Sequence, residues 1–422
     1  SQSTSCKETS RLVRLVGPPS SSPKGAVFQT IDGFGSSSRV LEDPHVFDVR
    51  GAAPAMTGAQ QDAVLDALYR ELRLTRIRPV QPDTTAGPPP VGIEVVNDNA
   101  DPFVADLGRF DFAGRRLDGH AALVARVKAR GVRVTWISPL NREPWMGVSP
   151  GTADVAEYAE WLLVQIRRFS RRGARLDYVS VANEPSYSRN AMSGAFIRDV
   201  IKALGPRLEA EGLLVPFVIP DDVRPSDGAD KAAAVLADPA ARRYVGALAT
   251  HLYDEPLERL SAMRSLARRY DLPLWMSEFA VGAIPSMRPR RSPATPLDWA
   301  LLMHELLADY DVSAIDYFWG YIGARDADQG SLIRLEHDGT TYRGFTRTKV
   351  FYYFGQYSRF VRPGARRVAL ASDDDDVRAT AYALGRNRTI VAINPGSATK
   401  RATFTATDLE GVRRLSRTRT GP

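Results

Sequence analysis

The chain has 422 residues, 44% of them hydrophobic, and a net charge of +7, enough to bury one core of barrel size with a smaller second one beside it. Its basic residues are scattered rather than gathered into a block or a repeated helical face, which argues for a solvated surface and against a nucleic-acid partner. The single cysteine, Cys6, and the five dispersed histidines, His45, His120, His251, His304 and His337, exclude an internal disulfide framework and the usual Cys or paired-His metal sites, so neither a metal nor a cofactor is expected.

From the N-terminus, "SQSTSCKETS" lacks the apolar centre of a signal peptide and suits a mature secreted protein whose leader has been removed. No apolar run approaches the ~20 residues a bilayer-spanning helix needs, so no membrane insertion is expected. "RLVRLVGPPSSSPKGAVFQ" reads as a hairpin. "TIDGFGSS" (Thr30 to Ser37) then reads as the first of eight strands. Its glycine pair is no phosphate loop, because the third glycine and the Lys-Ser/Thr of the nucleotide motifs are missing. "LTRIRPV" (Leu74 to Val80), "VRVTWIS" (Val132 to Ser138), "LDYVSVANE" (Leu176 to Glu184), "LVPFVIP" (Leu214 to Pro220), "VGALATHLY" (Val245 to Tyr253), "LPLWMSEF" (Leu272 to Phe279) and "VSAIDYFWG" (Val312 to Gly320) follow, rich in β-branched and aromatic residues. Between them, stretches such as "DVAEYAEWLLVQIRRFSRRG" and "TPLDWALLMHELLADY" carry apolar residues at helical spacing.

Eight strands alternating with helices over this length favour a closed (β/α)8 TIM barrel over an open doubly wound sheet. Beyond about Tyr353 the pattern changes to short strands with turn signals at "GRNR" and "NPGS". The expected organisation is an α/β barrel over residues 31–355 with an antiparallel β-sandwich side domain built from both chain ends, residues 11–30 and 356–422. After "LEGVRRLSRTRTGP" one more strand is expected to close that sandwich.

In such a barrel, side chains at the C-terminal ends of the strands converge on one face. Glu184 of "SVANEP" ends the fourth strand and Glu278 of "LPLWMSEF" the seventh, so the two carboxylates point into one mouth from opposite walls. Glycosidic cleavage needs such a pair, one acid to protonate the leaving oxygen and one carboxylate to attack the anomeric carbon or activate water. The bland alternative, Glu184 capping a helix and Glu278 paired with an arginine, explains each residue alone but not their shared placement.

"QTIDGFGSS", "VSVANEP", "ATHLYD", "LWMSEFA", "YFWGYI" and "YYFGQYSRFVRPGARRV" resemble family 30 of the glycoside hydrolases, from about Phe28 to Ile393. The resemblance implies a retaining mechanism, with Glu184 as general acid/base and Glu278 as nucleophile, their carboxyl groups about 5 to 5.5 Å apart. It further implies that Asn183 bonds the sugar 2-hydroxyl, that Tyr253 contacts the nucleophile, and that Arg76 on the second strand holds Glu278 ionised, with Arg78 on the same face as a second candidate. Trp319 would floor the site beneath the cleaved sugar. Trp145 and Tyr187 are candidates for neighbouring subsites, with loop packing as their alternative. His251 is either a satisfied barrel histidine or a substrate contact.

Two departures bear on the substrate. "SPL" puts Leu140 where the family often has tryptophan, leaving Trp136 or Trp145 to supply that platform, and Gly320 and Arg325 do not match the tryptophan and arginine of the glucuronoxylan-cleaving branch. The expected substrate is a β-linked polysaccharide attacked internally, xylan or glucuronoxylan or a β-1,6-linked glucan or galactan. An exo-acting β-glycosidase and a catalytically silent carbohydrate-binding barrel are the alternatives. A monomer is expected.

Overall fold

The computed structural model of the chain describes residues 11–15, 28–80, 92–146, 155–187, 191–253, 255–279, 295–323, 330–372, 374, 376–406 and 416–420. The first strand, β1 (Arg11–Leu15), lies apart from the barrel. Eight parallel strands follow and close on themselves: β2 (Gly33–Ser38), β3 (Arg76–Pro79), β4 (Val134–Ile137), β5 (Tyr178–Ser180), β6 (Phe217–Asp222), β7 (Val245–His251), β8 (Leu274–Phe279) and β9 (Val312–Phe318), with β9 pairing back onto β2 through Gly33 and Ala314. The expected TIM barrel is therefore present.

The helices lie where apolar residues recur at three- and four-residue spacing. The helix Val155–Arg171 buries Tyr158, Ala159, Leu162, Leu163, Ile166 and Phe169, and in its first half the remaining faces, with Glu157, Glu160, Trp161 and Gln165, are covered as well. Thr57 and Gln60 form a capping box at the start of Gly58–Asp66, as Thr295 and Asp298 do before Pro296–Ala308, so orphan amides of the first turn are satisfied. No described helix is long and apolar enough to cross a membrane.

Inside the barrel, below the mouth, Trp136, Val218, Ala247, Ala249, Trp275 and Ala314 form a buried cluster. A fully buried ion pair crosses this layer, Arg76 to Asp316 through two hydrogen bonds of 3.1 Å. Gly35 makes room for it: a Cβ there would stand 2.5 Å from the Arg76 Cβ and 2.2 Å from an Asp316 carboxylate oxygen.

A small sheet follows the barrel, β10 (Tyr321–Ile322), β11 (Ile333–His337) and β12 (Tyr342–Arg347), which the sequence reading did not anticipate. Its hairpin turns at "HDGTT", where the Asp338 carboxylate accepts from the amides of Thr340 and Thr341. The C-terminal strands, β13 (Arg366–Val368), β14 (Leu370–Ser372), β15 (Arg378–Leu384), β16 (Asn387–Ile393) and β17 (Ala402–Ala406), form two three-stranded sheets, β13-β15-β16 and β14-β1-β17. The second takes strands from both chain ends, with β1 antiparallel to β14 and parallel to β17.

Candidate active site

The C-terminal ends of the barrel strands bring together a buried polar cluster, as the parallel topology requires. Glu184 follows β5 in the left-handed region, φ 49°, a conformation that non-glycine residues adopt at a cost of order 1–3 kcal/mol and mainly where the surroundings fix it. Two backbone bonds do so here: the Glu184 amide donates to the Asp221 carbonyl at 2.9 Å, and the Asn183 amide to the Pro139 carbonyl at 2.8 Å. Glu278 lies in β8, paired with His251 of β7, where a register shift after Thr250 sets the two side by side.

A carboxylate oxygen of Glu184, one of Glu278 and a ring nitrogen of His251 lie within 4.8 Å of one another. Both carboxyl groups are nearly buried, 7% and 4% exposed, so their partners set their chemistry. Glu278 is held at both oxygens: Arg78 donates to Oε2 at 2.5 Å and the Tyr253 hydroxyl to Oε1 at 3.0 Å. Charge-assisted bonds of this kind are short and strong, and they fix the orientation of the carboxylate. Arg78 also donates to the Asn183 side-chain oxygen, and its guanidinium lies 3.4 Å from Asp221.

His251 bridges the two halves of the cluster. Its Nδ1 lies 2.9 Å from Glu184 Oε1 and its Nε2 3.1 Å from Asp221 Oδ1. Burial pulls the imidazole down, but the charges of Glu278 and Asp221 and its two hydrogen bonds outweigh that and push it up to about 10. For Asp221, burial acts upward, and Arg78 and His251 prevail to hold it well below the usual carboxylate range.

No protein-family profile matches the chain. Among solved structures, the family 30 subfamily 8 xylanase Xyn30A of Clostridium acetobutylicum matches with a TM-score of 0.64 at 22% identity, over 91% of this chain and 84% of that one. SrfJ of Salmonella typhimurium matches at 0.71 and 20% identity, over 96% and 90% of the two chains. An endo-β1,6-glucanase matches at 0.70 and 18%, over 94% and 89%. The chain has the fold of the family 30 glycoside hydrolases.

Within this family 30 fold, Asn183, Glu184, His251, Tyr253 and Glu278 meet in one cluster. Trp319 follows β9, 8% exposed, with the His45 ring centred 5.9 Å away and the Arg39 guanidinium 5.8 Å from its centroid. Tyr187 is 53% exposed on the turn that Glu184 begins. Trp145 is half-buried, and its indole nitrogen donates to the Glu94 carbonyl at 2.7 Å, which ties it to the neighbouring loop.

Two expectations are corrected. The arginine that reaches Glu278 is Arg78, whereas Arg76 is spent on Asp316 and lies 3.9 Å over the Trp275 ring, one layer down. Trp136 is no sugar platform: it is wholly buried in the barrel, its indole nitrogen 3.3 Å from Asp316. Gly320 has no space for a larger side chain, since a Cβ would come within 2.6 Å of the hydroxyls of Ser36 and Ser38. Arg325 lies outside the described residues. The sequence reading missed Asp221; its signal was the "PDD" that ends β6, which resembles an ordinary strand exit.

Among the described residues, Glu184, His251 and Glu278 are the one group with donor atoms close enough to hold a metal ion. The set suits a cation poorly, because Arg78 already bonds Glu278 and a protonated imidazole offers no lone pair.

Proposed function

We propose that the protein is a retaining β-glycoside hydrolase that cleaves a β-linked polysaccharide internally, with Glu278 as nucleophile and Glu184 as general acid/base. The observation that carries this reading is the pair of nearly buried carboxylates at the ends of β5 and β8, with oxygens within 4.8 Å of each other. Carboxylates this close suit direct attack on the anomeric carbon, whereas a displacement through an activated water calls for a wider separation. Glu278, oriented by Arg78 and Tyr253, attacks while Glu184 protonates the leaving oxygen. Water then enters, Glu184 takes its proton, and the glycosyl bond to Glu278 breaks. Asn183, with its side-chain oxygen fixed by Arg78, is placed to bond a sugar hydroxyl through its amide nitrogen, and Trp319 offers a ring face to the sugar.

The substrate class rests on the structural neighbours, which include xylanases and an endo-β1,6-glucanase. The test is mass spectrometry of products from glucuronoxylan, β-1,6-glucan and β-1,6-galactan, with Glu278→Gln as control. An oligosaccharide ladder from one polymer, reduced about 10³-fold or more in the variant, ~4 kcal/mol of barrier, is expected. Monosaccharide alone would mark exo attack. No product from any of the three would sink the proposed substrate.

A further inference from the structure

Asp221 is the most heavily engaged acceptor in the cluster, and no part of the mechanism above uses it. It is fully buried at the end of β6, with φ 62°. Its Oδ1 accepts from the Ser277 hydroxyl at 2.6 Å and from His251 Nε2 at 3.1 Å; its Oδ2 accepts from the Ser138 hydroxyl at 2.5 Å and from Arg78 at 3.4 Å. Donors from β3, β7 and β8 and from the residue after β4 thus converge on one carboxylate. Its carbonyl also receives the Glu184 amide, so Asp221 holds the acid/base by backbone and, through His251, by side chain.

This arrangement fixes a tautomer. A carboxylate with four donors can only accept, so His251 must carry hydrogen on Nε2. The remaining ring nitrogen, Nδ1, faces Glu184 Oε1 at 2.9 Å. One proton therefore lies along that line, on Nδ1 or on Glu184, while the Nε2 hydrogen stays on the ring and is donated to Asp221. Around the ring, Glu278 Oε2 stands 3.9 Å from Nε2, the Tyr253 ring is perpendicular at 6.0 Å, and Arg78 lies behind Asp221.

We infer that Asp221 is a positioning residue for acid/base catalysis, which through His251 sets how tightly the Glu184–His251 pair holds the proton delivered to the leaving oxygen. The inference rests on the glycosidase reading for its catalytic meaning. Its sign follows from charge. With Arg78 positive, Glu278 and Asp221 negative and the Glu184–His251 pair made neutral by the one proton it shares, the cluster carries one net negative charge, and losing that proton makes it two. In Asp221→Asn the same loss runs from zero to one, so the proton leaves at lower pH.

The experiment combines pH profiles with ring-nitrogen NMR of 15N-histidine protein, His251 being assigned by its absence in His251→Gln. In the natural protein His251 should keep a hydrogen on Nε2 throughout pH 5 to 9. A ring that titrates near the ordinary 6.5, or carries hydrogen on Nδ1 alone, overturns the inference without any variant having to fold. In Asp221→Asn the alkaline limb of kcat/KM on the glycan should move down by about one pH unit or more. Activity on a dinitrophenyl glycoside, whose leaving group needs no proton, should fall at least tenfold less than activity on the glycan. A uniform loss on both substrates with an unmoved limb assigns Asp221 a merely structural part and overturns the inference. Failure of the natural protein to hydrolyse any glycoside sinks the glycosidase reading instead, and the ring titration still decides the tautomer.

Discussion

Arg76 and Arg78 stand two apart on β3 and share one face of the strand, yet they serve different layers. Alternate residues are separated by about 6.6 Å along a strand, so only Arg78, nearer the C-terminal end, reaches the mouth. Arg78→Lys should lower kcat/KM by about 10²–10³, since an ammonium cannot bond Glu278 and Asn183 together as the guanidinium does; steady-state kinetics beside a melting curve would show activity lost with the fold kept. Arg76→Ala should do the reverse. It strands Asp316 as an unpaired buried charge and should cost about 3–5 kcal/mol in denaturant unfolding, with activity per folded molecule little changed. A loss of turnover without a loss of stability would refute that division. Alternation along a strand makes the face legible but not the depth, so nothing local distinguishes Arg76 and Trp136, which lie beneath the mouth, from residues that line it. Glu184 and Glu278 were legible because each ends a strand whose β-branched run is plain, whereas Asp221 was hidden in an acidic pair that resembles an exit from a strand.

At the level of elements, the segment from Gly92 to the helix Asp118–Lys128 is held by buried carboxylates as well as by the apolar side chains of Ile93, Phe110 and Leu117. Glu143 Oε1 accepts the amides of Ile93 and Glu94 at 2.7 and 3.1 Å, and Glu94 Oε1 accepts the Asp98 amide at 2.9 Å. Burial, with Asp98, Glu143 and Glu160 nearby, pushes Glu94 up to about 8, and burial with Asp98 and Glu157 pushes Glu160 up to about 7; Glu143 is raised as well. Folded-state values above the unfolded ones mean that folding takes up protons. Their contribution to stability is therefore full below about 4.5 and is lost as pH rises through about 8. Thermal unfolding should show a lower midpoint at pH 8.5 than at pH 5. Glu94→Gln keeps an acceptor for the Asp98 amide and should recover about 1–2 kcal/mol at the higher pH; an unchanged difference between the two pH values would exclude Glu94 as its source. Sequence patterns show this loop as polar punctuation between a strand and a helix. They cannot show that its acids turn inward, because burial of a carboxylate depends on which backbone amides the fold presents to it.

Across the whole molecule, the two chain ends are bound to each other and to the barrel floor. The Ile31 amide donates to the Ala365 carbonyl at 2.8 Å, the Gln29 side-chain nitrogen to the Leu307 carbonyl at 2.5 Å, and Arg367 spans Gln29 and Asp311 at 2.8 and 2.9 Å. The switch from long alternating elements to short strands after Tyr353 made this second region legible, and the apolar "RLVRL" pointed to a strand before the barrel. Its partners were not legible: pairing between Arg11–Leu15 and Ala402–Ala406 spans nearly the whole chain, and no local signal sets a register at that range. The consequence can be tested by deletion. β1 is the middle strand of its sheet, so removing residues 1–15 leaves β14 and β17 each with an unpaired edge and nothing between them. The catalytic cluster draws on β3 to β8 and lies at the opposite end of the barrel from the Ile31–Ala365 contact, so kcat/KM per folded molecule should be nearly unchanged. Thermal midpoint should fall and self-association, read by size-exclusion chromatography, should rise. A deletion variant as stable and monodisperse as the full chain would show that β1 adds nothing to the sheet, whereas a loss of kcat/KM at full stability would show that the end-to-end sheet reaches the site.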